Sequence, residues 1–224
     1  MDWYAINTDY ADYLRQFCPN IPFTNYSNNR LKCFLGIVLE VNNCEYFAPL
    51  TSWKEKFNSW NNGNTFFKIE DPVTKKGLSA INLLYMFPVV KGQYEKITLS
   101  NLPKFRTFNN ESEKYKYWNF LNLELSLIDK NIITNSAKSI YNTIAIKRDS
   151  KCLKLGIDYK LAEKKCLEYQ NSQNKDNQKE SEETKSNVVS LDKKQPLDLN
   201  AYKQKAQEYN NSRANHKGND DLEL

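Results

Sequence analysis

A chain of 224 residues with 40% hydrophobic and 13% aromatic content can bury one substantial core, which favours a single domain with extensions over two full domains. The formal net charge of +5 is uneven: residues 1–166 hold 23 Lys and Arg against 16 Asp and Glu, and the remainder is slightly acidic. A basic globular part suits a polyanionic partner, because neutralising phosphates releases counterions, although a lysine-rich composition by itself gives the same balance.

The five cysteines, Cys18, Cys33, Cys44, Cys152 and Cys166, include no C-x-x-C pair and follow no basic-apolar leader. They are expected to be reduced structural thiols in a cytoplasm. The longest apolar run, Leu83 to Val90, contains Pro88 and is far too short to cross a bilayer, so it reads as a buried strand and no membrane partner is expected.

In chain order, residues 2–8 alternate large apolar and polar types and Phe34 to Val41 is rich in β-branched residues, so both are predicted strands. Asn42-Asn43 separates the second from Cys44 to Leu50, and two asparagines tolerate the positive φ of a tight hairpin turn. Pro49 lacks a backbone donor and is expected to mark the strand's end or an edge, setting Thr51, Ser52 and Lys54 at a strand-to-loop exit. Thr65 to Ile69, Ser79 to Val90 and Tyr94 to Thr98 complete an antiparallel sheet of five or six strands, since the connections are too short for helical crossovers.

The period then changes. Asn110-Glu-Ser-Glu113 has the pattern of a helix start, followed by Trp118, Leu121, Leu125 and Ile128 at three- and four-residue intervals. Ile133, Ala137, Ile140 and Ile144 predict a second helix, and Leu161, Cys166 and Tyr169 a third, capped by Asp158. The fold class expected is α+β, with the globular domain over residues 1–170. From Asn171 to 224 the composition is too polar to offset ordering entropy, and a disordered tail is expected apart from a short amphipathic helix over 197–209.

The single histidine, His216, lies in that tail, so a histidine acid-base pair and a Ser-His-Asp triad are excluded from the core. No H-E-x-x-H, paired-cysteine set or G-x-x-x-x-G-K-[ST] occurs, which disfavours a metal centre and nucleotide cofactors. Lys, Arg, Tyr, Ser and Thr remain. They suit phosphodiester chemistry on RNA, where the substrate brings its own 2′-hydroxyl nucleophile and the protein aligns it and stabilises charge.

Four blocks give the chain a specific likeness: WYAINTDYADYL near the start, KCFLGIVLEVNNCEYFAPLTSWKEK, LSAINLLYMFPVV, and YKYWNFL in the first long helix. Spread over roughly residues 3–165, they resemble the ToxN/AbiQ family, the endoribonuclease toxins of type III toxin–antitoxin and abortive-infection systems. The resemblance implies a strongly twisted antiparallel sheet flanked by helices, reminiscent of the Kid/MazF toxins. It also implies metal-independent cleavage of cellular or phage mRNA leaving a 2′,3′-cyclic phosphate, no cofactor, and inhibition by an RNA antitoxin with tandem repeats. The protein alone would be monomeric, joining that RNA in a closed assembly. The family's site maps onto Tyr10, Lys32, Thr51, Ser52, Lys54 and Tyr115, with Tyr26 as a further tyrosine before Lys32; Trp53 stands where relatives often have Pro.

On this reading Lys54 stabilises the anionic transition state, Thr51 and Ser52 donate hydroxyl hydrogen bonds to the scissile phosphate, and Lys32 positions RNA. Tyr10 and Tyr115 stack on splayed bases or bond phosphate. A hairpin over residues 34–50 is expected to hold Lys32 and Thr51 at opposite extremities. Lys104, Arg106, Lys114 and Lys116 form a basic stretch open to the RNA backbone or to solvent, and Asn82, Met86 and Pro88 are read as architectural. No residue is assigned as general base. A non-catalytic RNA-binding module and a MazF-like type II toxin neutralised by a protein are the competing readings.

Overall fold

The computed structural model describes residues 1–26 and 30–173, with Asn25, Tyr26 and Arg30 described by backbone alone. The predicted tail from 174 onward and its helix over 197–209 lie outside the described residues. The chain opens with β1 (Asp2–Ile6), α1 (Thr8–Arg15), the two-residue strands β2 (Asn25–Tyr26) and β3 (Arg30–Leu31), β4 (Phe34–Val41) and β5 (Cys44–Ser52). A 3-10 turn at Glu55–Ser59 leads to β6 (Phe66–Glu70) and β7 (Gly77–Asn82); a second, at Leu83–Tyr85, leads to β8 (Phe87–Val89) and β9 (Tyr94–Lys96). Helices α2 (Leu102–Phe105), α3 (Glu111–Ser126), α4 (Lys130–Tyr141) and α5 (Ser150–Leu155) follow, and α6 covers 159–173.

The main sheet has 7 strands in the order β6-β7-β5-β4-β1-β9, with β8 also paired to β5, and every pairing is antiparallel. The α+β class holds, with more strands than the five or six expected. The extra strand comes from dividing the run 79–90. Asn82 turns its side-chain oxygen onto the Leu84 N–H at 3.0 Å, which nucleates the 3-10 turn and breaks the run into β7 and β8. Both pieces pair with β5, β8 against Glu45–Phe47 and β7 against Leu50–Ser52.

Pro49 therefore does not end its strand. The Leu50 N–H points to β4, donating to the Cys33 carbonyl at 3.0 Å, so Pro49's missing donor faces the other side, where β8 has ended and β7 has not begun. The Asn42-Asn43 turn takes φ of 51° and 59°, the left-handed values a two-residue hairpin demands. The predicted strand over 2–8 is cut at Asn7, whose side chain accepts from the Asp9 and Tyr10 N–H groups and starts α1.

Asn110 caps α3, Asp129 caps α4, and Asp158 accepts from the Lys160 and Leu161 N–H groups at the start of α6. The Trp3 indole N–H donates to the Leu121 carbonyl at 2.8 Å in a buried bond that fixes the middle of α3 on β1. Tyr46 of β5 and Tyr141 of α4 both donate to Glu163 of α6, at 2.9 and 2.7 Å, fastening the helices at the turn end of the hairpin. Met86 is fully buried and Pro88 sits opposite Tyr46, the architectural positions expected of them.

Candidate active site

In an antiparallel hairpin the start of the first strand meets the end of the second. Phe34 thus stands opposite Pro49, and Lys32 lies at the same end of the hairpin as Thr51 and Ser52, which corrects the expectation that they are held apart. Past Leu50 the sheet edge beside β5 is vacated by β4. A cleft of about 410 Å³ opens there, walled by Leu31–Cys33, by Leu50–Ser52 and Lys54, by Leu78 and Ser79 of β7, by Arg106 just after α2, and by α3.

Strand alternation decides which side chains share the cleft. Ser52 pairs with Ser79, so both point to the face on which α3 lies, with Cβ atoms about 5 Å apart as in any directly opposed pair. Thr51 pairs with Ala80 on the opposite face, against the cluster of Phe57, Phe66 and Trp53, and borders the cleft from the strand. Backbone groups alternate as well. The Trp53 N–H donates to Leu78 at 3.3 Å and the Leu50 N–H to Cys33, so the Ser52 N–H is directed away from β7, toward the vacated edge.

Trp53 is seated rather than loose. A Cβ on Gly77 would lie 2.0 Å from two atoms of the Trp53 ring, so only glycine lets the indole pack there, and Phe57 meets it edge-on at 5.7 Å. This contact carries Lys54, which is exposed and extended, its carbonyl accepting from the Phe57 N–H at 2.9 Å.

Three cations line the cleft: Lys54, the buried Lys32, and Arg106, whose guanidinium lies 4.3 Å over the Tyr117 ring and 3.7 Å from Glu113. Burial pushes the Cys33 thiol up to about 12 and also raises the Tyr117 phenol, so neither is an anion at neutral pH. Glu124 is 1% exposed. Burial pushes its carboxyl up to about 7, with the Ser79 hydroxyl opposing the effect. Among the described residues, no three His, Cys, Asp or Glu converge as a metal-ligand set. A second cavity of about 470 Å³ shares Leu31 with the first, but Lys104, the one cation among its lining residues, is held by Glu95 at 2.9 Å.

The structure thus brings Lys32, Thr51, Ser52 and Lys54 together and sets other predicted residues elsewhere. Tyr10 is fully buried, its hydroxyl donating to the Pro88 carbonyl at 2.8 Å and its ring edge-on to Tyr169, so it has no face to offer a base. Tyr115 is exposed and absent from the cleft wall; two residues along an α-helix is about 200° of rotation, and Tyr117 takes the inward position. Tyr26 pairs through its backbone with Arg30, and its side chain lies outside the described residues. The basic stretch is largely neutralised, Lys104 by Glu95, Lys114 by Glu111 at 2.6 Å, and only Arg106 of its members enters the cleft. Ser79, Tyr117 and Glu124 escaped the sequence reading. The available signal was Tyr117, Leu121 and Glu124 at four- and three-residue spacing, which puts a carboxylate on an apolar helix face.

The family described as toxin ToxN of type III toxin–antitoxin systems matches residues 2–167. The endoribonuclease ToxN of Pectobacterium atrosepticum is 36% identical over 108 residues, which are 46% of this chain and 62% of that protein. The endoribonuclease ToxN of Bacillus thuringiensis subsp. kurstaki is 26% identical over 175 residues, covering 75% of this chain and 83% of that one. A solved structure, from work on a processed non-coding RNA that regulates a bacterial antiviral system, superimposes with a TM-score of 0.62 at 26% identity, over 75% of this chain and 98% of the other. The match spans the whole sheet, the cleft and the helices that wall it, and the chain belongs to the ToxN family of type III toxin–antitoxin toxins.

Proposed function

We propose that the chain is an endoribonuclease toxin that cuts RNA at the Ser52–Lys54 cleft by attack of the 2′-hydroxyl on its own phosphate, leaving a 2′,3′-cyclic phosphate and a 5′-hydroxyl. The observation that carries this reading is the convergence of Lys32, Lys54 and Arg106 with the Ser52 hydroxyl on one cleft, in a fold shared with endoribonuclease relatives. The pentacoordinate phosphorane gains negative charge over the ground state, and fixed cations aimed at it stabilise the transition state more than the bound substrate. Lys54 balances that charge, Ser52 holds a non-bridging oxygen through its hydroxyl and N–H, and Lys32 and Arg106 bind the flanking backbone. Thr51, turned to the other face, supports the strand that presents Ser52. Such chemistry needs no metal and no cofactor.

The regulator is an RNA antitoxin with tandem repeats, occupying the same cleft and joining the protein in a closed assembly; the related structure studied with a regulatory non-coding RNA supports this. Among the described residues no helix is long and apolar enough to cross a membrane, and a cytoplasmic site of action in phage defence fits an mRNA substrate. Incubating the purified chain with RNA in EDTA and mapping the ends tests the reaction. Cyclic-phosphate and 5′-hydroxyl ends are expected; dependence on added divalent metal, or 3′-hydroxyl ends, would refute it.

A further inference from the structure

The cleft holds one acid among its lining residues, and that acid is placed at a cost. Glu124 lies on the inward stripe of α3 with Tyr117 and Leu121, and both its carboxylate oxygens are buried without a hydrogen-bond partner among the described residues. The Ser79 Oγ likewise makes no hydrogen bond of normal geometry, although it lies near enough to the carboxylate to favour its ionised form. Ser79 is the cross-strand partner of Ser52, so the two share one face of the β5–β7 ladder, and Glu124 of α3 lines the same cleft. A buried carboxylate with unsatisfied oxygens is destabilising. A 2′-hydroxyl is a donor of the kind those oxygens lack.

We propose that Glu124 is the proton acceptor in cleavage, taking the proton of the 2′-hydroxyl next to the phosphate held at Ser52. In this step the 2′-oxygen forms a bond to phosphorus, the bond from phosphorus to the 5′-oxygen breaks, the 2′-proton passes to the carboxylate, and the departing 5′-oxygen takes a proton from water. The assignment rests on the reaction proposed above. Other groups that line the cleft are unsuited to accepting this proton, since Lys32, Lys54 and Arg106 are cations that serve the phosphate, and Cys33 and Tyr117 stay protonated at neutral pH. Burial pushes the Glu124 carboxyl up to about 7, so at neutral pH about half of it is ionised, and that form is basic enough to accept a proton.

The test is a single-turnover pH–rate profile, from about pH 5 to about pH 9, for wild type, Glu124→Gln and Glu124→Asp on an RNA oligonucleotide. Binding is measured in parallel with the same oligonucleotide carrying 2′-deoxyribose at the cut. Wild type is expected to gain rate with pH through an apparent pKa near 7. Glu124→Gln keeps volume and removes the charge; it is expected to bind the deoxy analogue as wild type does, to lose about 10²-fold or more in rate, and to lose the acidic limb. Glu124→Asp, which restores a carboxylate, is expected to recover part of the rate with an acidic limb. A Glu124→Gln protein that keeps the wild-type acidic limb, however slow, overturns the assignment and makes the residue structural. Wild type that leaves no cyclic phosphate overturns the reaction itself, so the two failures are distinguishable.

Discussion

Lys54 and Glu124 border the same cleft with opposite relations to solvent, the ammonium exposed and the carboxylate enclosed, and this difference has a measurable signature. The carboxyl of Glu124 titrates near 4.5 in an unfolded chain and is pushed up to about 7 by burial. Between these values the folded protein retains a proton that the unfolded chain has released, so stability falls as pH rises through the window and levels off above it. Glu124→Gln removes the penalty. Urea unfolding should find the variant more stable than wild type by on the order of 2 kcal/mol at about pH 8, and closer to wild type at about pH 4. An equal difference at both pH values would contradict the burial argument. At this scale the Thr51-Ser52-x-Lys54 motif was legible because its types and spacing survive without knowledge of packing. Tyr115 was not, because a shift of two helix positions reverses the facing side chain, and Glu124 was hidden in a stripe read for its apolar members.

Among the elements, β5 sets the site. It exchanges β8 for β7 at Pro49 on one side and loses β4 past Leu50 on the other, so its last residues are held by a ladder and still open to an edge. The sequence announced the hairpin through Asn42-Asn43, two helices through the caps Asn110 and Asp158, and a third through its apolar spacing, but not the short helices α1, α2 and α5. It concealed the strand change, because residues 79–90 read as one strand while a single side-chain bond from Asn82 breaks its geometry. The Trp53–Gly77 contact is where this element can be tested without touching any group proposed to react. Gly77→Ala drives a methyl into the indole, displacing Trp53 and with it the residues on either side. Misplacement of reacting groups by about 1 Å costs up to about 10²-fold. Gly77→Ala should lose activity on that order while retaining its fold by circular dichroism, and Trp53→Ala in the same chain should restore part of it; no recovery would mean that the contact does not set the loop.

For the molecule as a whole, the basic excess over residues 1–166 was legible, but its location was not. Lys104 and Lys114 are ion-paired outside the cleft, and folding brings Lys32, Lys54 and Arg106, the last 3.7 Å from Glu113, to its wall. The strand count was underestimated for a related reason, since pairing partners are a property of the assembled sheet. If Arg106 contacts the RNA backbone, Arg106→Gln should weaken binding and reduce the slope of log affinity against log salt by about 0.7, as expected for one phosphate contact on a single strand. An unchanged slope in filter-binding titrations would remove Arg106 from the interface. That this cleft performs the cut is tested most directly by measuring cleavage and RNA binding for Lys54→Ala and Ser52→Ala beside wild type. Both variants should fold and bind RNA while cleaving about 10²- to 10³-fold more slowly, the loss expected when one group that stabilises the transition state is removed. A folded Lys54→Ala protein that cuts at the wild-type rate would contradict it.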